Sequence, residues 1–239
     1  MPRALTSVPM HENILFLPGL LCDARLWRDQ LAAFPHSVVA DLTQDDHVDA
    51  MAARALAWMP DRFALCGLSM GGYVALALMR LAPERVTRLC LLDTSARADT
   101  HEQSRRRRGL MALTRGNKFR GVTPRLLPQL LHPDRLTDTV LCQDVLDMAE
   151  RVGRDAFLRQ QHAILTRPDS RADLGRVAVP TMIGVGDSDI LTPPELAAEM
   201  AGLIAGARLR VVKQAGHLPP MERPDDTIDI LRDWLSPQS

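Results

Sequence analysis

Six short runs along the chain are apolar almost throughout instead of alternating with polar residues: ILFL (14–17), SVVA (37–40), FALC (63–66), RLCLL (88–92), TMIGV (181–185) and LRVV (209–212). A strand with one wet face alternates. A strand buried on both faces reads as a continuous apolar run, the pattern of a parallel sheet covered on both sides. The last run carries Arg210, which suits a strand nearer an edge. Helical spacing fills most of the intervals. Trp27, Leu31 and Phe34 mark one apolar face, and Val48, Met51, Ala55 and Met59 another. Residues 70–81 are apolar nearly all round and predict a buried central helix. Leu196, Met200 and Leu203 follow the fifth run, and Ile228, Leu231 and Leu235 the sixth. Strand and helix therefore alternate, which predicts an α/β fold with a doubly wound, mostly parallel sheet of about six strands.

One region breaks the rhythm. From about 96 to 176 there is no good strand, and Leu141, Val145, Met148 and Val152 recur at helical spacing. The expected organisation is a core of residues 1–95 and 177–239, with residues 96–176 as a helical lid inserted between the fourth and fifth strands. A chain of 239 residues buries enough surface to need no staple. The 29 basic and 29 acidic residues cancel, so no global field draws in nucleic acid or an anionic membrane. Cys22, Cys66, Cys90 and Cys142 show no C-x-x-C spacing, which argues for free thiols and against a disulfide framework or zinc site. The apolar run at 14–17 is short and ended by Pro18, so neither a leader peptide nor a membrane span is expected, and the compartment predicted is the cytoplasm.

The stretch LCGLSMGGY (65–73) carries the first chemical signal. Gly67 and Gly71 flank Ser69 as G-x-S-x-G, after an apolar strand and before the buried helix. A serine at such a turn projects its hydroxyl above the carboxyl edge of the sheet, and the helix N-terminus beside it offers unpaired N–H groups. A hydroxyl needs a base to take its proton. His217, in KQAGHLPPMERP after the last strand, lies at the same edge, and Pro219 and Pro220 keep it out of any helix. Histidines 11, 36, 47, 101 and 132 sit in polar contexts and are expected to be exposed, and His162 falls on a lid helix. The base in turn needs an acid. The fifth strand ends in GVGDSDILTPP, which offers Asp187 and Asp189, and LLDTSA offers Asp93 at the end of the fourth. Asp189 is preferred, with Asp93 and Asp187 as rivals. The two oxyanion donors expected are the backbone N–H groups of Met70, next to the serine, and of Leu20, in LPGLLCDARLW after the first strand.

With these residues in view, the sequence resembles the α/β-hydrolase superfamily over nearly its whole length. GLSMGG resembles the nucleophile elbow, GDSDILTPPE the acid loop, AGHLPPMERP (with Glu222 and Pro224) the base loop, and LPGLLCDARLWRDQL the oxyanion loop. The acid loop's usual form, G-x-x-D followed by Pro, lands on Asp189. The chain departs from the family pattern at Pro18-Gly19, where His-Gly is usual, and at ADLTQDDHV, which keeps only Asp41 of a longer motif. The family's first two strands are expected to be missing.

The resemblance implies acyl transfer through Ser69, with no metal or organic cofactor, on a small-molecule carboxylic ester. A carrier-bound ester or thioester, a lactone, a carbon–carbon bond or a cofactor-free perhydrolase reaction would use the same three residues. A ligand-binding signalling module on the same fold is the non-enzymatic alternative. Between Arg97 and Arg125 stand nine Lys or Arg and two acids, including Arg105–Arg108. Two readings stay open for this stretch. It is either a solvated helix face paired with acids elsewhere, or a surface for a carboxylate-bearing substrate or an acidic acyl-carrier protein. Gln160, Gln161 and His162 are candidate polar pocket groups, and Leu110, Met111 and Leu127 either line an acyl pocket or pack.

Overall fold

The computed structural model describes residues 12–116 and 119–237. Six strands, β1 (Ile14–Leu17), β2 (Ser37–Val39), β3 (Phe63–Leu68), β4 (Val86–Leu92), β5 (Thr181–Gly186) and β6 (Arg208–Val212), form one sheet. Its order is β2-β1-β3-β4-β5-β6, and every neighbouring pair is parallel. β6 is an edge strand, as Arg210 indicated. The helices are α1 (Arg28–Ala33), α2 (Val48–Leu56), α3 (Met70–Leu81), α4 (His101–Arg115), α5 (Leu127–Leu130), α6 (Thr139–Thr166), α7 (Arg171–Leu174), α8 (Pro194–Leu203), α9 (Pro219–Glu222) and α10 (Pro224–Leu235).

Successive strand residues feed opposite cores, the physical content of the unbroken apolar runs. Leu15, Leu17, Leu65, Leu89, Leu91, Ile183 and Val185 pack with residues of α2, α3 and α8. Ile14, Phe16, Cys66, Leu68, Cys90, Leu92 and Met182 pack on the other side with Trp27, Leu231 and Trp234. Phe16 stacks on Trp27 with ring centroids 4.6 Å apart. Among the described residues, no helix is long and apolar enough to cross a membrane.

α4 to α7 all lie between β4 and β5. α4 opens on a capping box, Thr100 with Gln103. α6 is kinked at Gly153, whose φ of 77° is not helical. Its first half sends Leu141, Val145 and Met148 to one core and its second half sends Ala163 and Ile164 to the other, so α6 passes from one face of the sheet to the other. Met111 and Leu127 are buried, whereas Leu110 is exposed.

Local differences from the sequence expectations have simple causes. β3 continues two residues past Cys66, because Gly67 and Leu68 pair with Leu91 and Leu92 of β4. Met59 lies beyond the end of α2 yet is buried against the same core. Pro219 and Pro220 stand in the first turn of α9, where a missing N–H costs nothing. His11 and the residues before it, on which the missing-strand expectation falls, lie outside the described residues, as does Lys118.

Candidate active site

The sheet register gathers the site. Leu68 of β3 pairs with Leu92 of β4, Leu92 with Gly184 of β5, and Gly186 with Val212 of β6. All four strands thus end near one line, and the residues that follow share the carboxyl edge. Ser69 is wedged into the turn between β3 and α3 at φ 54° and ψ −116°, a conformation that side-chain-bearing residues rarely hold. The surroundings enforce it. The Ser69 N–H donates to the Leu92 carbonyl (3.0 Å), and the Thr94 hydroxyl donates to the Ser69 carbonyl (2.7 Å). Gly67 and Gly71 permit the turn. A Cβ on Gly67 would lie 2.4 Å from the Gly71 carbonyl oxygen, and one on Gly71 would lie 2.1 Å from that of Leu17.

His217 sits between Ser69 and Asp189. Its Nε2 lies 2.8 Å from Ser69 Oγ, and its Nδ1 lies 2.8 Å from Asp189 Oδ2. With Nδ1–H donating to the carboxylate, Nε2 is left to accept the serine proton. Asp189 and His217 are buried, and Ser69 is half-buried. Asp189 accepts from several donors. Its Oδ1 accepts from the N–H groups of Leu191 (2.8 Å) and Thr192 (3.2 Å), and its Oδ2 accepts the Thr192 hydroxyl (2.6 Å) as well as His217. Burial alone would push this carboxyl up. The charge and hydrogen bond of His217, with the Thr192 bonds, outweigh it and hold Asp189 below its ordinary range.

The rivals go elsewhere. Asp187 turns to Lys213, 3.9 Å away, and accepts from the Ser188 hydroxyl. Asp93 is buried beside the pair, but its Oδ1 accepts the Gly186 N–H (2.8 Å) and the Nδ1 bond of His217 goes to Asp189. His36, His47 and His101 are exposed as expected. His132 is not: it is half-buried, because its backbone N–H donates to Glu222 beneath the base loop. His162 faces Asp46 and packs edge-on against His47, which ties α6 to the loop before α2.

The loop after β1 comes close to the serine: a Cβ on Gly19 would lie 3.4 Å from Ser69 Cβ. In this loop the Cys22 N–H closes onto the Gly19 carbonyl, and the Leu21 N–H donates to Gln160 Oε1 (3.0 Å). On the α3 side the N–H groups of Gly72 and Tyr73 return to the Ser69 carbonyl. Among the described residues, no hydrogen bond takes up the N–H of Leu20 or of Met70. Cys22 is no rival nucleophile, since burial and the neighbouring Asp23 push its thiol up to about 12.

Of the supporting residues, Thr192 has no place in the sequence reading, Gln160 figures there only as a candidate pocket group and Glu222 only as part of the base-loop resemblance. Thr192 stands three residues after Asp189, a local Asx-type spacing that could have marked it. Gln160 braces the loop after β1 from α6, with its Nε2 also donating to the Leu42 carbonyl (3.2 Å). Glu222 accepts the N–H groups of Gly216 and Leu218, which flank the base, and of His132 at 2.6 Å. Burial raises its carboxyl despite these donors. Its partner in α5's trailing loop is ninety residues away in sequence, and no local signal points to it.

Comparison with known proteins places the chain among proteins of the same fold. A pimeloyl-[acyl-carrier protein] methyl ester esterase of Neisseria meningitidis (serogroup C / serotype 2a) is 27% identical over 216 residues, 87% of this chain and 83% of that protein. The structure of a thermophilic esterase from Thermogutta terrifontis superimposes with a TM-score of 0.85 at 28% identity, over 94% of this chain and 89% of that one. An enol-lactonase from Burkholderia xenovorans LB400 shares the fold at a TM-score of 0.84, 24% identity, 94% coverage of this chain and 91% of that one. The sequence model of the alpha/beta hydrolase family matches residues 14–230, nearly the whole chain, and the protein belongs to that family.

Proposed function

We propose that the protein is a serine carboxylic ester hydrolase in which Ser69 is the nucleophile, His217 the base and Asp189 the acid. The observation that carries this reading is the pair of 2.8 Å contacts placing the imidazole between the hydroxyl and a buried, hydrogen-bonded carboxylate. Ser69 Oγ attacks the ester carbonyl while its proton passes to His217 Nε2. The amides of Leu20 and Met70 hold the oxyanion. The C–O bond to the alcohol then breaks, and the alcohol leaves with the proton from Nε2. Water, deprotonated by the same nitrogen, releases the acyl group from Ser69.

A second reading concerns the substrate. The curated relative cleaves a methyl ester of a carrier-bound acyl group by its name, and the helical insertion here presents unpaired positive charge. Arg107 is taken up by Asp99 (2.9 Å) and Arg97 by Glu199 (2.8 Å), but Arg105, Arg106 and Arg108 are exposed and form no ion pair among the described residues. An acyl ester presented by an acidic carrier protein fits that surface, with residues 96–176 acting as the lid. The cysteines are free, three of them buried, which suits the reducing cytoplasm.

The test is hydrolysis of short-chain p-nitrophenyl esters by wild type and Ser69→Ala, with fluorophosphonate labelling of both. Turnover and labelling should both be present in wild type, and the substitution should lower kcat by about 10⁴-fold or more. Undiminished turnover in Ser69→Ala, or an unlabelled wild type inert toward every ester, would remove the reading.

A further inference from the structure

Three buried carboxyl groups crowd the base, and they are not equivalent. Asp189 accepts four hydrogen bonds and Glu222 accepts three backbone N–H groups. Asp93, 1% exposed, accepts one, from Gly186, and its Oδ2 faces no donor among the described residues. An oxygen of Asp93, an oxygen of Asp189 and a ring nitrogen of His217 all lie within 4.8 Å of one another. A carboxylate with a bare, buried oxygen beside a second carboxylate is the worst placed of the three to hold a charge. As a carboxylic acid the same oxygen becomes a donor, and Asp189 is the acceptor next to it.

We infer that Asp93 is a neutral carboxylic acid that donates its proton in a hydrogen bond to Asp189, acting as a positioning residue that restrains the charge of the acid behind His217. This rests on the reading of Asp189 and His217 given above. The groups facing Asp93 are Asp189 from the loop after β5, Glu222 from α9, His217 from the base loop and the N–H of Gly186. None of them is a permanent cation. Burial, the charge of Asp189 and the hydrogen bond to it push the Asp93 carboxyl far above its ordinary range, with Glu222 adding to the rise and the Gly186 N–H opposing it. The backbone agrees with a fixed role: Asp93 holds φ 43° and its N–H donates to the Gly184 carbonyl at 3.0 Å, while its buried Oδ1 accepts the Gly186 N–H.

The functional consequence has a sign. A donor on Asp189 spreads its negative charge and makes His217 a weaker base than a lone carboxylate would. Removing the donor concentrates the charge of Asp189 on the imidazolium form of the base, and the acidic limb of kcat/KM moves to higher pH. Asp93→Asn keeps both an acceptor for Gly186 and a donor for Asp189, so its limb should stay where the wild-type limb lies. Asp93→Leu loses the donor, and its limb should move up by about one pH unit.

The experiment is the pH profile of ester hydrolysis by wild type, Asp93→Asn and Asp93→Leu. Beside it, the infrared spectrum of aspartate-¹³C-labelled wild type and Asp93→Asn is recorded at neutral pH. The proposal expects a protonated-carboxyl band in wild type that Asp93→Asn lacks. A downward shift of the limb in Asp93→Asn would mean that a negative charge had been removed, and would overturn it. So would a wild-type limb in folded Asp93→Leu, or the absence of the infrared band. The spectrum needs no turnover, so it tests Asp93 even where Leu fails to fold. It also separates this inference from the proposed function, whose failure shows as absent Ser69-dependent turnover.

Discussion

The sheet edge and the helical insertion are built on opposite plans. At the edge, each chemical group is pinned from several directions at short range. Ser69 is held by Leu92 and Thr94, Asp189 by Leu191 and Thr192, and His217 by the Glu222 bonds to its two neighbours. The insertion touches this machinery at a few polar ties: Gln160 to Leu21, the His132 N–H to Glu222, and the His217 N–H to the Leu130 carbonyl (2.8 Å). It carries its own internal clamp, in which Asp99 pairs with both Arg107 and Arg167 (2.9 and 2.7 Å) while Arg167 also lies over the Tyr73 ring, 4.1 Å from its centroid. Between these points α4 presents an exposed, charged face. The contrast frames a division of labour to be tested, with bond chemistry proposed for the edge and access to it for the insertion.

That division breaks into measurable pieces. Asp189→Asn should leave the fold intact and lower kcat toward small esters by about 10⁴-fold, because the amide favours the wrong imidazole tautomer. Loss under tenfold would show that the edge tolerates another acid. Next in size is Gly71→Ala. Its Cβ would meet the Leu17 carbonyl oxygen at 2.1 Å, backbone against backbone, and urea denaturation should show a loss of about 3 kcal/mol. Triple charge reversal at Arg105, Arg106 and Arg108 belongs to the insertion alone. It should raise KM for a carrier-borne ester about tenfold at low salt, with the difference shrinking as salt is added, and leave kcat/KM for p-nitrophenyl esters unchanged. Equal effects on both substrates would erase the division. The smallest effect is expected at Gly109, inside α4 with nothing within 4 Å of its added Cβ. Gly109→Ala should stabilise the protein by about 0.5–1 kcal/mol in the same urea titration.

Much of this was legible in the chain before any coordinates. Strand burial on both faces leaves an unbroken apolar run, and the six runs place all six strands to within two residues at each end. Gly67 and Gly71 mark the elbow because close backbone approach excludes every other side chain. Asp189 is marked by its distance past β5 and by the family's acid-loop form. His132 was misread because a histidine among Pro, Asp and Leu looks like a surface loop, and only the crossing of α5's trailing loop under the base buries it.

Periodicity and local sterics in the chain are enough to lay out the sheet and the elbow, and the family resemblance supplies the expected order of serine, acid and base. The tertiary structure decided what lies far apart along the chain: which carboxyl receives His217, that Glu222 ties the base loop to the insertion, and that Gln160 braces the loop after β1. It also decided that Asp93, the rival of Asp189 in the sequence, ends with one donor where Asp189 has four. A carboxyl's charge depends on how many donors reach it through space, and that number exists only once the chain has folded.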